Sequence, residues 1–324
     1  THTNLWGSLQ HRPNAGDCEV PARVRFVEDD VAVVFSLSKA AVGSISVGDT
    51  IEEVDGIPVA ELVSEWTPLY AASNHPTRLR DIGQDLLLGE CGPATLKISR
   101  DGSPLEIQTA RIKDDDRDGW AHDRAGEAFQ ILDGNIAYLK LGAVESDAIK
   151  TYLKAARGTR GWVLDLRNYP SDFVVFSLGR HLVAATSPFV SFTTASLDNP
   201  SSFGWGPPLS LKPKRPTYKA PIAILVDETT QSSAEYHAMA FRTAPGAKVF
   251  GSTTAAADGN VSPIPLPGNF RSLITGIGVF YPDKSPTQQI GIVPDFEVRP
   301  TVAGIREGRD EVLDAALAHL APRD

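Results

Sequence analysis

The hydrophobic rhythm of the chain changes partway along. Between residues 20 and 112 short apolar runs alternate with turn residues, whereas beyond residue 128 such runs alternate with longer amphipathic segments. In the first region, residues 24–27, 31–35 and 94–98 predict strands, the last running into the Asp101-Gly102 turn. Residues 47–59 predict a strand, a tight Asp55-Gly56 turn and a second strand, and residues 79–88 carry helical spacing. In the second region strands are predicted at 135–140, 161–166, 221–226 and 248–250. Helices are predicted at 146–156, 173–184, 233–243 and 310–320, with a β-rich stretch up to about residue 300. Alternation of this kind implies an α/β layered domain with a mostly parallel sheet. The expected organisation is an N-terminal segment (1–19) that feeds the second domain, a β-rich module (20–112), a polar linker (113–127) and an α/β core (128–324).

Composition narrows the partners. The 324 residues suffice for two domains, and 42% hydrophobic with 22% charged residues fits a folded chain. A net charge of −9 without a Lys/Arg cluster argues against nucleic acid as a partner, and no apolar run is long enough to span a membrane. Thr1-His2-Thr3 at the start lacks both Met and an export-signal pattern, so a fragment or processed form is expected. Cys18 and Cys91 are either one disulfide or two core thiols. In the linker, Asp114, Asp116, Asp118 and Gly119 match half of a calcium loop. Ala125 stands where a bidentate glutamate is needed, so a solvated acidic linker is expected and no metal. No dinucleotide or phosphate-loop motif occurs, so no cofactor is expected.

The candidate chemistry starts at Thr230-Gln231-Ser232-Ser233-Ala234-Glu235, directly after the apolar run 222–226. Strand, tight turn and helix in succession would project a serine hydroxyl from a rigid corner and leave backbone N–H groups converging where an oxyanion could form. The competing reading is a helix N-cap, for which serine is preferred on hydrogen-bonding grounds alone.

Four segments decide between these readings. Trp162-Val163-Leu164-Asp165-Leu166-Arg167-Asn168, the Ser232 turn, Val249-Phe250-Gly251-Ser252-Thr253-Thr254-Ala255 and Gly291-Ile292-Val293-Pro294-Asp295 follow one another in the order found in the tail-specific, or carboxy-terminal processing, protease family. Residues 47–59 likewise resemble the core of a PDZ domain, a module that captures extended peptides by strand addition. The resemblance covers about 300 residues and implies a crotonase/ClpP-like α/β core preceded by a PDZ-like module, cleaving peptide bonds with a serine nucleophile. It carries the nucleophile onto Ser232, with Ser233 as fallback and the Ser233 N–H as oxyanion donor.

This sequence also departs from the family pattern. Ala257 stands where the processing proteases have a lysine base, which removes a Ser–Lys dyad. The chain in this respect resembles the branch of tricorn protease and interphotoreceptor retinoid-binding protein. That branch implies a histidine base upstream of the PDZ module, here His2, with Thr1 as bridging hydroxyl. The carboxylate of such a relay is replaced by Gln288, which could orient a hydroxyl but not stabilise an imidazolium by charge; Glu235 is the substitute carboxylate or a first-turn cap. His237 is expected on the helix surface leaning over Ser233, and His75 near substrate in the PDZ-like region or without a role. Where the family has glycines after its Asn, this chain has Tyr169-Pro170-Ser171. Pro170 has no N–H, so that of Tyr169 or Ser171 would serve the oxyanion.

The expected function is thus a serine endopeptidase acting on polypeptides, with a C-terminal segment held by the PDZ-like module. The alternatives are a catalytically inactive scaffold that binds peptides or an apolar ligand, and an esterase-like hydrolase using the same pair. An exported location is favoured by the resemblance alone, and the oligomeric state is open.

Overall fold

The computed structural model describes residues 5–6, 16–38, 45–113, 124–196, 198–199 and 201–321. The β-rich module is a sheet in the order Ala22–Val27, Val31–Leu37, Thr50–Val54, Gly92–Arg100, Ser103–Arg111, all pairs antiparallel. Asp55 and Gly56 adopt φ of 51° and 80°, which gives the predicted hairpin its two-residue turn into Ile57–Pro58. The second strand stops there. Val59–Trp66 is a helix, not a continued strand, because Val59, Leu62 and Trp66 fall on one face and bury it against the sheet core. The other helix of the module spans His75–Asp85 and starts earlier than its apolar spacing suggested, since Asn74 caps it by accepting from the Thr77 N–H at 3.0 Å.

Cys18 and Cys91 form a disulfide, beside the short pairing of Cys18–Glu19 with Leu88–Gly89. The helix His75–Asp85 lies tight on the edge strand Ala22–Val27: a Cβ added at Gly83 would sit 3.1 Å from Val24 O. At that point no room remains for an added strand, so the strand-addition groove expected of a PDZ module is closed at Val24.

The second domain is built on a six-stranded sheet in the order Phe129–Leu132, Ile136–Lys140, Gly161–Asp165, Ile222–Val226, Lys248–Gly251, Phe296–Glu297. Only the first pair is antiparallel. The strands at 161–165 and 222–226 are buried along their whole length, as central parallel strands covered on both faces must be. One face packs Trp162, Leu164, Ile224 and the helix Ser233–Phe241; the other packs Val163, Leu225, Phe250 and the helix Glu311–Leu320. The predicted helix at 173–184 shrinks to Val175–Gly179, followed by turns that lead to the strand Ser187–Ala195. Leu5–Trp6 pairs with Phe270–Thr275, the middle strand of a three-stranded sheet completed by Val261–Leu266.

The disulfide closes a loop with a sequence separation of 73. Its removal by Cys18→Ser plus Cys91→Ser should lower unfolding free energy by about 2–5 kcal/mol. Urea unfolding with and without reductant checks this: wild type should fall to the variant's midpoint when reduced.

Candidate active site

The strand Ile222–Val226 ends in Asp227, and the turn that follows is held from below. The Thr230 hydroxyl accepts from the Asp227 N–H at 3.0 Å and donates to Leu166 O at 2.8 Å. The Thr229 hydroxyl lies between Arg167 O at 2.7 Å and Asp227 Oδ1 at 2.6 Å. The turn is thereby stitched to the end of the neighbouring strand, where parallel α/β sheets place their ligands. Arg167 itself is buried and clamped by Asp165 and Asp310 at 2.7 Å each, and Tyr138 donates to Asp165 at 2.8 Å. The two carboxylates hold the Arg167 guanidinium charged against the burial that opposes it.

The chain then enters the helix Ser233–Phe241 through Ser232, whose backbone has φ 54° and ψ −113°. Ser232 occupies the N-cap and forms a capping box with Glu235, so the capping reading is part of the answer. Capping does not require this conformation, since N-cap residues ordinarily have extended backbone. A serine held at positive φ costs about 1–3 kcal/mol and persists only where its surroundings over-determine it.

Glu235 supplies that determination. Its carboxylate is buried and accepts from four donors: the Ser232 N–H at 3.0 Å, the Thr254 hydroxyl at 2.5 Å, the Ala256 N–H at 2.9 Å and the Ala257 N–H at 3.0 Å. Burial pushes its pKa up, while these donors pull it back. Thr254 also accepts from the Ile292 N–H at 2.7 Å. A Cβ at Gly291, where φ is 84°, would come within 2.8 Å of the Thr254 hydroxyl. The Ser232 turn and the segment 249–255 therefore meet at one carboxylate, and the segment 291–295 joins them through Thr254. Glu235 is a structural acceptor with no oxygen left over for a relay.

The other candidates fall as follows. Ser233 opens the helix, so its N–H is among the first-turn donors that lack an intrahelical acceptor. The Ser171 N–H is spent on Leu141 O at 3.0 Å, and its hydroxyl on Val144 O at 2.5 Å, which removes it as an oxyanion donor. Tyr169, at 58% exposure, remains on that loop. Gln288 does not orient a hydroxyl: its amide nitrogen donates to Asp258 O at 2.8 Å and Ile277 O at 3.0 Å, tying loop to strand. Thr1 and His2 lie outside the described residues, as do Asp114, Asp116, Asp118 and Gly119 of the linker. Among the described residues no cluster of His, Cys, Asp and Glu could hold a metal ion.

His237 is buried, not on the helix surface. Its Nε2 accepts from the Val174 N–H at 3.0 Å and its Nδ1 donates to Ser233 O at 2.5 Å; burial lowers its pKa to about 4 against the bond to Ser233 O, which favours the charged ring. It leans over Ser233 as helical geometry requires, yet both nitrogens are engaged and neither is left to act as base. His75 pairs with Asp30 at 2.7 Å beside a small cleft also lined by Arg25, Phe26, Arg80 and Glu228.

Two features of the site escape sequence reading. Asp258 is buried with one carboxyl oxygen that has no hydrogen-bond partner among the described residues, and burial together with the charge of Glu235 pushes its pKa up to about 8. The β-rich module, moreover, grips the Ser232 turn. Arg25 reaches Asp227 at 2.6 Å and Glu228 at 2.8 Å, and Arg80 donates to Glu228 O at 2.9 Å and Gln231 Oε1 at 3.0 Å. Asn74 adds a bond to Thr254 O at 2.8 Å. An acidic pair beside a predicted turn is a weak hint of such a contact, and nothing local identifies the arginines that meet it.

Residues 135–298 match the family model described as Peptidase family S41, and the chain belongs to this family of serine-type peptidases. Among solved structures, mature CPAF complexed with lactacystin superposes with a TM-score of 0.74 at 16% identity, covering 94% of this chain and 83% of that one. A candidate peptidase from Parabacteroides merdae gives a TM-score of 0.55 at 17% identity, covering 83% of this chain and 91% of its own. Tricorn protease gives 0.42 at 16% identity, covering 94% of this chain and 29% of that one. Among curated proteins, none matches by sequence.

Glu235→Ala should destabilise the fold by at least about 3 kcal/mol, because it strands four buried donors at once; chemical denaturation measures the loss. The pH dependence follows from Asp258. Its folded pKa, about 8, lies above its ordinary value of 3.8, so the native state holds the proton more tightly than the unfolded chain. That stabilisation is complete below about pH 4 and is lost as pH rises through 8. His237, depressed to about 4, acts oppositely, its contribution fading as pH falls below 6.5. Asp258→Asn should therefore flatten the decline in urea midpoint between pH 5 and 8.5 while leaving the acid limb unchanged.

Proposed function

We propose that the chain is a serine endopeptidase in which Ser232 Oγ attacks the carbonyl carbon of a peptide bond and a histidine accepts the hydroxyl proton. The tetrahedral oxyanion draws on the Ser233 N–H and the Tyr169 N–H. The C–N bond then breaks, the imidazolium returns the proton to the leaving amine, and water hydrolyses the acyl-enzyme by the same path. One observation carries this reading: within the matched peptidase domain, Ser232 is held at φ 54° between a buried parallel strand and a helix N-terminus.

The base is assigned to His2, with Thr1 as the bridging hydroxyl. The family resemblance supports the assignment, as does the pairing of Leu5–Trp6 with the hairpin of the core. His237 is unsuited by its two engaged nitrogens. The closed groove at Val24 leaves capture of a substrate terminus by strand addition without support, so polypeptide is taken to enter at the Ser232 face itself. The scaffold reading draws on Gln288, whose bonds to backbone leave no carboxylate behind a base at that position.

A fluorophosphonate should label Ser232, located by mass spectrometry, and Ser232→Ala should abolish both labelling and peptide turnover, the latter by at least about 10³-fold. His2→Ala should reduce both. Absence of labelling in the unmodified chain would favour the binding scaffold.

A further inference from the structure

The helix that begins at Ser232 carries an aromatic cluster that is finished on one side only. Tyr236 lies one turn beyond Ser232, and its N–H donates to Ser232 O at 3.0 Å. Around it, Phe173 stacks at 5.8 Å and Phe189 meets it edge-on at 5.2 Å, while Phe176 lies 6.1 Å from Phe173. Below, Phe189 and Phe241 belong to the core. Above, Phe173 is 55% exposed, Phe176 37% and Tyr169 58%, so three large rings face solvent on the loop from Tyr169 and the short helix Val175–Gly179 that follows it.

This loop is fixed from beneath. The Val174 N–H is held by His237 Nε2 at 3.0 Å, and the Phe173 ring meets the His237 ring edge-on at 5.3 Å. Buried His237 thus spends one of its hydrogen bonds on holding the residue next to an exposed phenylalanine beside the first turns of the nucleophile's helix. A wall of rings that is rigid, exposed and adjacent to a reactive serine offers contact to a side chain entering with the scissile bond. Its chemistry selects against an acidic occupant, because Phe173 and Phe176 present no group to pair with a carboxylate that would lose its water there, and the three rings offer their area to an apolar side chain.

We propose that Phe173 and Phe176, backed by Tyr236, form a specificity subsite that receives a bulky apolar, preferably aromatic, side chain from the residue that contributes the attacked carbonyl. This inference rests on Ser232 being the nucleophile. Tyr169 lies on the loop assigned to the oxyanion, so the residue bearing that oxygen is the one whose side chain reaches Phe173.

The test compares second-order labelling rates of the full chain by peptidyl phosphonates that carry Phe, Ala or Glu at the reacting position, with a small fluorophosphonate run in parallel. The Phe probe should react roughly ten-fold or more faster than the Ala probe and the Glu probe slowest. Phe173→Ala should collapse the Phe/Ala ratio toward one, each rate being taken relative to that of the small probe on the same variant. Phe173→Leu should retain most of the ratio, and Leu69→Ala, an exposed apolar change in the β-rich module, all of it. Should Phe173→Ala fail to fold, Phe176→Ala carries the same expectation. Equal rates for the Phe and Ala probes, with Ser232 still labelled by the small probe, would overturn the subsite and leave the nucleophile standing. No labelling of Ser232 by any probe would overturn both.

Discussion

The carboxylate of Glu235 is the interaction on which the site depends. It draws donors from the Ser232 turn and from Thr254, Ala256 and Ala257 into one buried point. Two of those residues, Ser232 and Ala256, have φ of 54° and 58°, conformations that side-chain-bearing residues adopt only under constraint. A single acceptor shared by both strained segments explains how each is kept. The desolvation that raises the Glu235 pKa is offset by charge-assisted hydrogen bonds, so the cost of burying a carboxylate is turned into geometric definition of the serine.

The β-rich module acts on the same turn from outside. Arg25 belongs to the edge strand where a PDZ domain would be expected to pair with a peptide, and its guanidinium is committed to Asp227 and Glu228 of the core. With the helix His75–Asp85 pressed against Val24, this edge serves as a contact between domains. Burial makes these ion pairs sensitive to loss of one partner, since the remaining carboxylates would be left without their counter-charge. The module is thus mechanically continuous with the turn that carries Ser232.

Much of this architecture was legible beforehand, and the distinction lies in range. The Asp55-Gly56 hairpin, the buried strands at 161–165 and 222–226 and the strand-turn-helix at Ser232 were each readable from a few consecutive residues. The helix expected at 173–184 was readable in the same way and is nevertheless cut to Val175–Gly179. There Val174 gives its N–H to His237, 63 residues away, and the chain must turn to reach the strand Ser187–Ala195. Ser171 and Gln288 failed as site residues for a similar reason, their polar groups being claimed by Leu141 and Val144 and by Asp258 and Ile277.

The sequence by itself determined the mixed α/β fold with its buried parallel strands, the family and the serine at the corner, because periodicity and turn chemistry act between near neighbours. Only the tertiary structure decided which polar atoms remain free. It joined Cys18 to Cys91, buried His237, occupied Glu235 with four donors and, among the described residues, left an oxygen of Asp258 without one. Hydrogen-bond partners and burial are properties of surfaces brought together from distant parts of the chain, and local patterning does not encode which surfaces those are.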